Sequence, residues 1–157
     1  MWLVFYMWLV VAAVCDAIYR KCYNWLVITG VFMAFVAVIS VPESLPVPIN
    51  LQDTLIGMLF GFFVFLLFYI FKMMGAGDVK FAAALGAWLG WQILLPIWVV
   101  SCAFAVMHGV IVKYGVFVFP GLRYTGSEFH SGKKRFIPYV TYLSLATVIV
   151  MGFYKNQ

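Results

Sequence analysis

The feature that most constrains this chain is a series of long apolar runs separated by short polar segments. A helix that crosses a lipid bilayer needs about 20 mostly apolar residues, and runs of about that length recur along the chain. Hydrophobic residues make up 66% of the 157 residues and charged residues only 10%, whereas soluble domains carry about 25% charge. The sequence therefore predicts an all-α, polytopic membrane protein in contact with membrane lipids, with residues 1–157 forming a single domain.

We predict about six transmembrane helices from the positions of these runs. The predicted spans are Trp2 to Tyr19, Trp25 to Val41, Leu51 or Leu55 to Phe71, Val79 to Leu89, Ile93 to Val112, and Ile137 to Tyr154. Gly90 separates the fourth and fifth runs, and the fourth is short enough to be a tilted helix or a half-span. Tyr114 to Phe136 is rich in glycine and basic residues, which predicts a loop. No basic residue precedes the first run, which favours a retained helix over a cleaved signal peptide.

The basic residues predict how these helices are oriented. Nine of the ten Lys and Arg residues lie in or beside the connections that follow the first, third and fifth spans. This count includes Lys80, which lies just inside the fourth helix. The remaining basic residue is Lys155. Cytoplasmic connections of membrane proteins carry an excess of Lys and Arg. This face is therefore predicted to be cytoplasmic, and both termini are predicted to lie on the opposite side of the membrane.

The same residues argue against nucleic acid as a partner and against a metal site. The net charge is +5, but the basic residues are spread thinly rather than clustered with aromatic side chains. Cys15, Cys22 and Cys102 form no CxxC pair and have no metal-ligand spacing with His108 or His130. We therefore expect no nucleic-acid partner, no metal and no cofactor, and cysteines that are reduced and serve packing.

Two of the five acidic residues lie close to the predicted cytoplasmic face: Asp16 near the end of the first predicted helix and Asp78 at the start of the fourth. Ionisable groups within membrane segments are costly and mark functional sites. Two neighbouring carboxylates can share one proton, so that one activates a water molecule while the other polarises a scissile carbonyl. The residues alone also allow structural roles: ion pairs of Asp16 with Arg20 and of Asp78 with Lys72 or Lys80, or a helix cap formed by Asp78.

A short motif surrounds the second of these acids. Gly75 to Phe81 reads GAGDVKF, and its glycines allow tight turning and close approach of a peptide backbone. A GxGD tetrapeptide at the start of a membrane helix, followed by Val-Lys, resembles the motif of the type IV prepilin peptidases. The resemblance is strongest to the short forms that serve Tad/Flp-type pili.

Two further segments carry the same resemblance. Asp16 is followed by a basic pair and then by Asn24, in register with the family's Asp, basic residues and Ile-Pro-Asn, although a Cys-Tyr pair stands where the family has Ile-Pro. Arg135 to Tyr139, which contains Pro138, resembles the family's basic-x-Ile-Pro-Phe/Tyr entry to the last helix. The three segments together span most of the chain.

The resemblance implies a GxGD-protease-like fold and an aspartyl endopeptidase of the bacterial inner membrane, with periplasmic termini. Its substrate would be a type IV or Flp-type prepilin, from which it removes a short basic leader at the cytoplasmic face. Asp16 and Asp78 carry over as the catalytic pair. The motif or substrate-positioning residues that carry over are Gly75, Gly77, Lys80, Asn24 and Pro138. The chain begins directly in a helix, without the cytoplasmic domain of the long forms, so N-methyltransferase activity is not expected.

Individual residues of these motifs also have structural interpretations. Asn24 is expected to cap the second helix, and Lys80 to hold the local carboxylate or a substrate carbonyl, or to extend to the membrane interface. Gly86 and Gly90 form a GxxxG pattern, which predicts close helix packing, with the first helix as the candidate partner.

Two other functions are compatible with parts of the sequence. A non-catalytic pilus-assembly component or a small transporter could hold Asp16 and Asp78 in ion pairs. A GxGD protease of the presenilin type would have Tyr before its first Asp, whereas Cys15 precedes Asp16 here.

Overall fold

The computed structural model describes most of the chain, and all regular structure in the described part is helical. The described residues are 1–19, 22–40, 45–72, 74–114 and 139–155. The helices are α1 (Trp2–Tyr19), α2 (Asn24–Ser40), α3 (Leu51–Ile70), α4 (Ala76–Tyr114) and α5 (Tyr139–Lys155). The all-α prediction is confirmed for these residues. The predicted loop after Tyr114 lies outside them.

Local backbone chemistry explains the ends of the third helix. The Asn50 N–H donates to the Asp53 carboxylate at 3.2 Å, which satisfies a backbone donor just before α3 begins. At the other end, Lys72 adopts a left-handed conformation with φ of 58°, and its N–H donates to the Tyr69 carbonyl. A left-handed residue after the last turn is a common way to end a helix, so α3 stops within a residue of its predicted end.

The apolar helices are consistent with the predicted membrane protein. By length and composition, α1, α3 and Ala76–Val110 of α4 could each cross a membrane. The two other described helices are apolar but shorter, at Asn24–Ser40 and Tyr139–Tyr154. The predicted count of six membrane spans is not confirmed.

A reversal at Gly90 divides α4 into two segments, residues 76–89 and 91–114. Gly90 has φ of 73° and ψ of 172°, which is a non-helical conformation inside the assigned helix. Glycine adopts a positive φ without the steric cost that a Cβ atom imposes. The sequence correctly placed the interruption at this residue.

Contacts with α3 show that the two segments of α4 run in opposite directions. In the first segment, Gly86 packs on Gly57 and Ala82 packs on Gly61, which is an antiparallel register. In the second segment, the Trp91 ring lies 6.2 Å from Phe60 and the Trp98 ring 5.3 Å from Phe68, which is a parallel register. The segments therefore correspond in direction to the fourth and fifth predicted helices.

The first segment of α4 is the central helix of the bundle. Every residue from 81 to 90 is buried. On the α1 side, the Trp8 ring stacks on Phe81 at 5.1 Å and the Phe5 ring lies 5.2 Å from Trp88. An apolar helix without a polar face is typical of a fully enclosed position.

The small residues of this helix allow close contact with α3 rather than with α1. A Cβ atom added to Gly86 would collide with the backbone oxygen of Gly57, and one added to Gly57 would collide with the backbone oxygen of Gly86. The prediction of close packing at this GxxxG pattern is confirmed. The partner helix proposed from the sequence was wrong, because large aromatic rings fill the space between α1 and α4.

We predict that Gly86→Ala destabilises the protein, because the added methyl group meets backbone atoms that cannot rotate away. Overpacking of this kind costs about 1–3 kcal/mol, which should lower the thermal unfolding midpoint of the detergent-purified protein. Gly109→Ala is the matched control in the same helix, since a Cβ atom there meets no other atom within 4 Å. Equal midpoints for the two variants would contradict the packing argument.

Candidate active site

The two aspartates predicted from the sequence lie at the same end of the helical bundle. Asp16 is in the last turn of α1 with 6% of its surface exposed, and Asp78 is in the first turn of α4 and partly buried. Their carboxylates are close enough to repel each other. Cys22, in the connection between α1 and α2, lies within electrostatic range of both. The fold therefore brings together two acids that are far apart in sequence.

The Asp78 carboxylate is held by the backbone of its own motif. The Gly75 N–H donates to Asp78 Oδ2 at 2.9 Å, and the Asp78 N–H donates to the Gly75 carbonyl at 3.1 Å. Since α4 begins at Ala76, Asp78 is the third helical residue and Gly75 precedes the helix. The suggestion that Asp78 is the N-cap was wrong by one turn: its side chain reaches back to the capping residue, as an acid at this position commonly does.

No ion pair neutralises Asp78 within the described part of the chain. Lys72 and Lys80 were the suggested partners, and neither forms a salt bridge with it. The Lys80 ammonium instead donates to the side-chain oxygen of Asn24 at 2.9 Å.

The Asp16 carboxylate is held by the beginning of another helix. The Thr141 N–H donates to Asp16 Oδ2 at 3.1 Å, and the Thr141 hydroxyl lies 3.3 Å from the same oxygen. The first N–H groups of a helix have no partner within the helix, and its N-terminal end favours negative charge. The suggested partner Arg20 lies outside the described residues. No sequence pattern points to Thr141, because no local motif connects residues 125 positions apart.

The two glycines of the GxGD motif are explained by close contacts. A Cβ atom on Gly77 would lie 2.9 Å from Cys22 Cβ, and one on Gly75 would lie 3.3 Å from Asp78 Oδ2. Among the described glycines, only Gly90 has a positive φ. The motif glycines therefore provide room for neighbouring atoms rather than an unusual backbone conformation.

The contact between Lys80 and Asn24 joins the beginning of α4 to the beginning of α2. Both residues are exposed, and both were singled out by their motifs. Asn24 was expected to cap α2, but it is the first helical residue, and the Tyr23 carbonyl accepts the N–H groups of Leu26 and Val27. The Asn24 side-chain oxygen instead accepts the hydrogen bond from Lys80. Pro138, the remaining motif residue, lies outside the described residues.

Cys22 is a neutral neighbour of the two acids. Burial raises the pKa of its thiol to about 12, and the nearby charges of Asp78 and Asp16 add to this effect, so the thiol stays protonated at neutral pH. All three cysteines lie in described segments and are free thiols. Among the described residues, no group of three or more His, Cys, Asp and Glu side chains could hold a metal ion.

An apolar helical protein with two acids at one end of its bundle is a candidate membrane-embedded hydrolase. A sequence model of the type IV leader peptidase family matches residues 3–110, which is more than half of the chain. The chain belongs to this family. The matched region contains Asp16, the GxGD motif and Lys80, but not Thr141.

Curated relatives agree with this family. The prepilin leader peptidase/N-methyltransferase of Pseudomonas aeruginosa is 36% identical over 109 residues, which cover 65% of this chain and 33% of the relative. The protein of the same name from Aeromonas hydrophila is 39% identical over 69 residues, or 40% of this chain and 24% of the relative. That from Pectobacterium carotovorum is 37% identical over 82 residues, or 48% and 27%. The matched region spans a third or less of each relative's length. No solved structure matches the chain.

We predict that Gly77→Ala lowers the thermal unfolding midpoint, because its methyl group collides with Cys22 Cβ. Cys22→Gly removes the colliding atom, so the double variant should unfold at a higher temperature than Gly77→Ala alone. Residues in contact show such non-additive effects.

Gly152→Ala is the control for this cycle, since a Cβ atom at Gly152 meets nothing within 4 Å. If the changes in unfolding midpoint of Gly77→Ala and Cys22→Gly simply add in the double variant, the contact with Cys22 is not the reason that position 77 requires glycine.

Proposed function

We propose that this chain is a membrane-embedded aspartyl endopeptidase that removes the leader peptide of type IV prepilins, including the Flp type, at the cytoplasmic face of the bacterial inner membrane. The observation that carries the proposal is the convergence of Asp16 and Asp78 at one end of an apolar bundle. Membership of the type IV leader peptidase family and the names of the curated relatives support a prepilin as substrate.

In the proposed mechanism the two carboxylates have different roles in hydrolysis. Like charges at short range favour a pair that holds one proton. The ionised carboxylate takes a proton from water, and the resulting hydroxide adds to the scissile carbonyl carbon, while the protonated carboxyl group donates a hydrogen bond to the carbonyl oxygen. Collapse of the tetrahedral intermediate breaks the C–N bond, and the departing amine receives a proton from the acid pair.

The surroundings of the two acids suit such a pair. Each carboxylate accepts a backbone N–H from the first turn or the cap of a helix, Thr141 for Asp16 and Gly75 for Asp78. Such bonds fix the carboxylates in place before substrate binds, and fixed polar groups need no reorganisation during the reaction.

The exposed pair of Lys80 and Asn24 is proposed to position the substrate backbone beside Asp78. The Lys80 ammonium uses one donor on Asn24 and has three in total, so donors remain for a peptide carbonyl. The two residues also link α2 to α4, which would hold the rim of the site in a fixed shape. Pro138 is proposed to be a motif or substrate-positioning residue, as the resemblance to the family implies.

We predict that Asp16→Asn and Asp78→Asn each abolish leader removal from a co-expressed cognate prepilin, because a carboxamide can neither accept the proton from water nor share a proton. The measurement is the size shift of the epitope-tagged prepilin on a denaturing gel. Each variant should still accumulate in the membrane.

Asp53→Asn is the matched control for the structural contribution of these acids. Asp53 accepts a backbone N–H from the residue three positions earlier, as Asp78 does, but it lies at the start of α3. The Asp53→Asn variant should process prepilin like the wild type. Normal processing by either Asp16→Asn or Asp78→Asn would favour a non-catalytic membrane component.

The proposed orientation predicts the behaviour of reporter fusions. A reporter active only in the cytoplasm should be active when fused after Lys133, in the basic segment, and inactive when fused after the C-terminal residue Gln157. A reporter active only in the periplasm should give the opposite pattern. Periplasmic activity after Lys133 would exclude a cytoplasmic site for prepilin cleavage by Asp16 and Asp78.

A further inference from the structure

We propose that Thr141 is the positioning residue of Asp16 and that α5 is therefore part of the catalytic apparatus; this inference rests on the proposed peptidase function. Two donors of Thr141, its N–H and its hydroxyl, face one oxygen of the Asp16 carboxylate, at 3.1 and 3.3 Å. The family match ends at residue 110, so neither the match nor any sequence motif assigns this role.

The geometry explains why two donors matter. A single hydrogen bond leaves a carboxylate able to rotate about its side-chain torsions. A second donor from the same residue restricts the position of that oxygen further whenever the Thr141 hydroxyl points to it. Since a catalytic group must be held within a fraction of an ångström of its productive position, this restriction acts directly on the reaction.

A third contact fixes Thr141 itself. Its hydroxyl lies 3.3 Å from the carbonyl oxygen of Ala13, one helical turn before Asp16 in α1. The hydroxyl therefore lies between two acceptors of the same helix, and it can donate to only one of them at a time. Thr141 is docked on α1 at the level of the acid, and α5 cannot shift along α1 without moving its donors away from Asp16.

The two acids are thus held by different means. The Gly75 N–H that holds Asp78 lies three residues away in the same motif, whereas the Thr141 groups that hold Asp16 lie 125 residues away. Asp78 is positioned by its own motif, whereas the two Thr141 donors reach Asp16 once α5 has packed against α1. This difference predicts that a change at residue 141 acts on catalysis through Asp16.

The test compares the full-length variants Thr141→Val and Thr141→Ser in detergent, with the purified cognate prepilin as substrate. Valine preserves the shape of threonine and the backbone N–H but removes the hydroxyl, whereas serine retains the hydroxyl. We expect Thr141→Val to lower kcat about 10- to 100-fold, the scale of a misplaced catalytic group, with KM changed less than about twofold. Thr141→Ser should keep kcat within about threefold of the wild type.

Thr147→Val is the matched control in the same helix. The Thr147 hydroxyl is buried and donates to the Leu143 carbonyl at 2.8 Å, so its removal perturbs α5 without touching Asp16. We expect its kcat to equal that of the wild type. If Thr141→Val does not accumulate in the membrane, Thr141→Ala is measured in its place with the same expectations.

The outcomes separate this inference from the proposed function. A wild-type protein that cleaves prepilin while Asp16→Asn does not would support the proposed function, whatever Thr141 does. Wild-type kcat in Thr141→Val, equal losses in Thr141→Val and Thr141→Ser, or an equal loss in Thr147→Val would each overturn the positioning role alone. A wild-type protein that fails to cleave its cognate prepilin would overturn the proposed function.

Discussion

The backbone contact between Gly57 of α3 and Gly86 of α4 is the constraint on which the arrangement of the site depends. It leaves no room for a side chain on either helix, so the central segment of α4 can approach α3 this closely only where two glycines face each other. The register of this contact fixes the height of Asp78 at the start of the segment. In an apolar environment the driving force for helix association is close packing rather than the hydrophobic effect, and small residues at this contact are therefore structural requirements of the acid site.

Helix starts provide backbone N–H donors that the interiors of the helices do not have free. Inside helices almost all backbone donors are already used, so the unpaired N–H groups at helix starts are the donors available to a carboxylate. The beginning of α4 holds Asp78, and the beginning of α5 holds Asp16. Both helices begin at the end of the bundle where α1 finishes, and the same geometry that brings the acids together also supplies donors for each of them.

The sequence predicted local features well and the contacts between particular side chains of different helices poorly. Apolar run lengths located the helices to within a few residues, and Gly90 marked the reversal, because these features depend on neighbouring residues. Asp78 was found because an acid at the start of an apolar run is unusual and because the GxGD motif around it is contiguous in the sequence. Thr141 was missed, Asn24 was assigned to a cap instead of to Lys80, and Gly86 was paired with the wrong helix. Each of these contacts joins segments whose proximity is decided by packing of the whole bundle.

One of the two departures from the family pattern after Asp16, Cys22 in place of Ile, has a physical explanation in the contacts of the site. Cys22 stands where the family has Ile, and its nearest approach to Gly77 is through its Cβ atom, which every residue except glycine possesses. The contact therefore depends little on which atoms follow Cβ in the side chain at position 22. Two residues later, Asn24 supplies the side-chain oxygen that Lys80 requires, and no aliphatic side chain could replace it. The retained Asn24 makes a side-chain hydrogen bond, whereas Cys22 makes a contact that Ile could also provide.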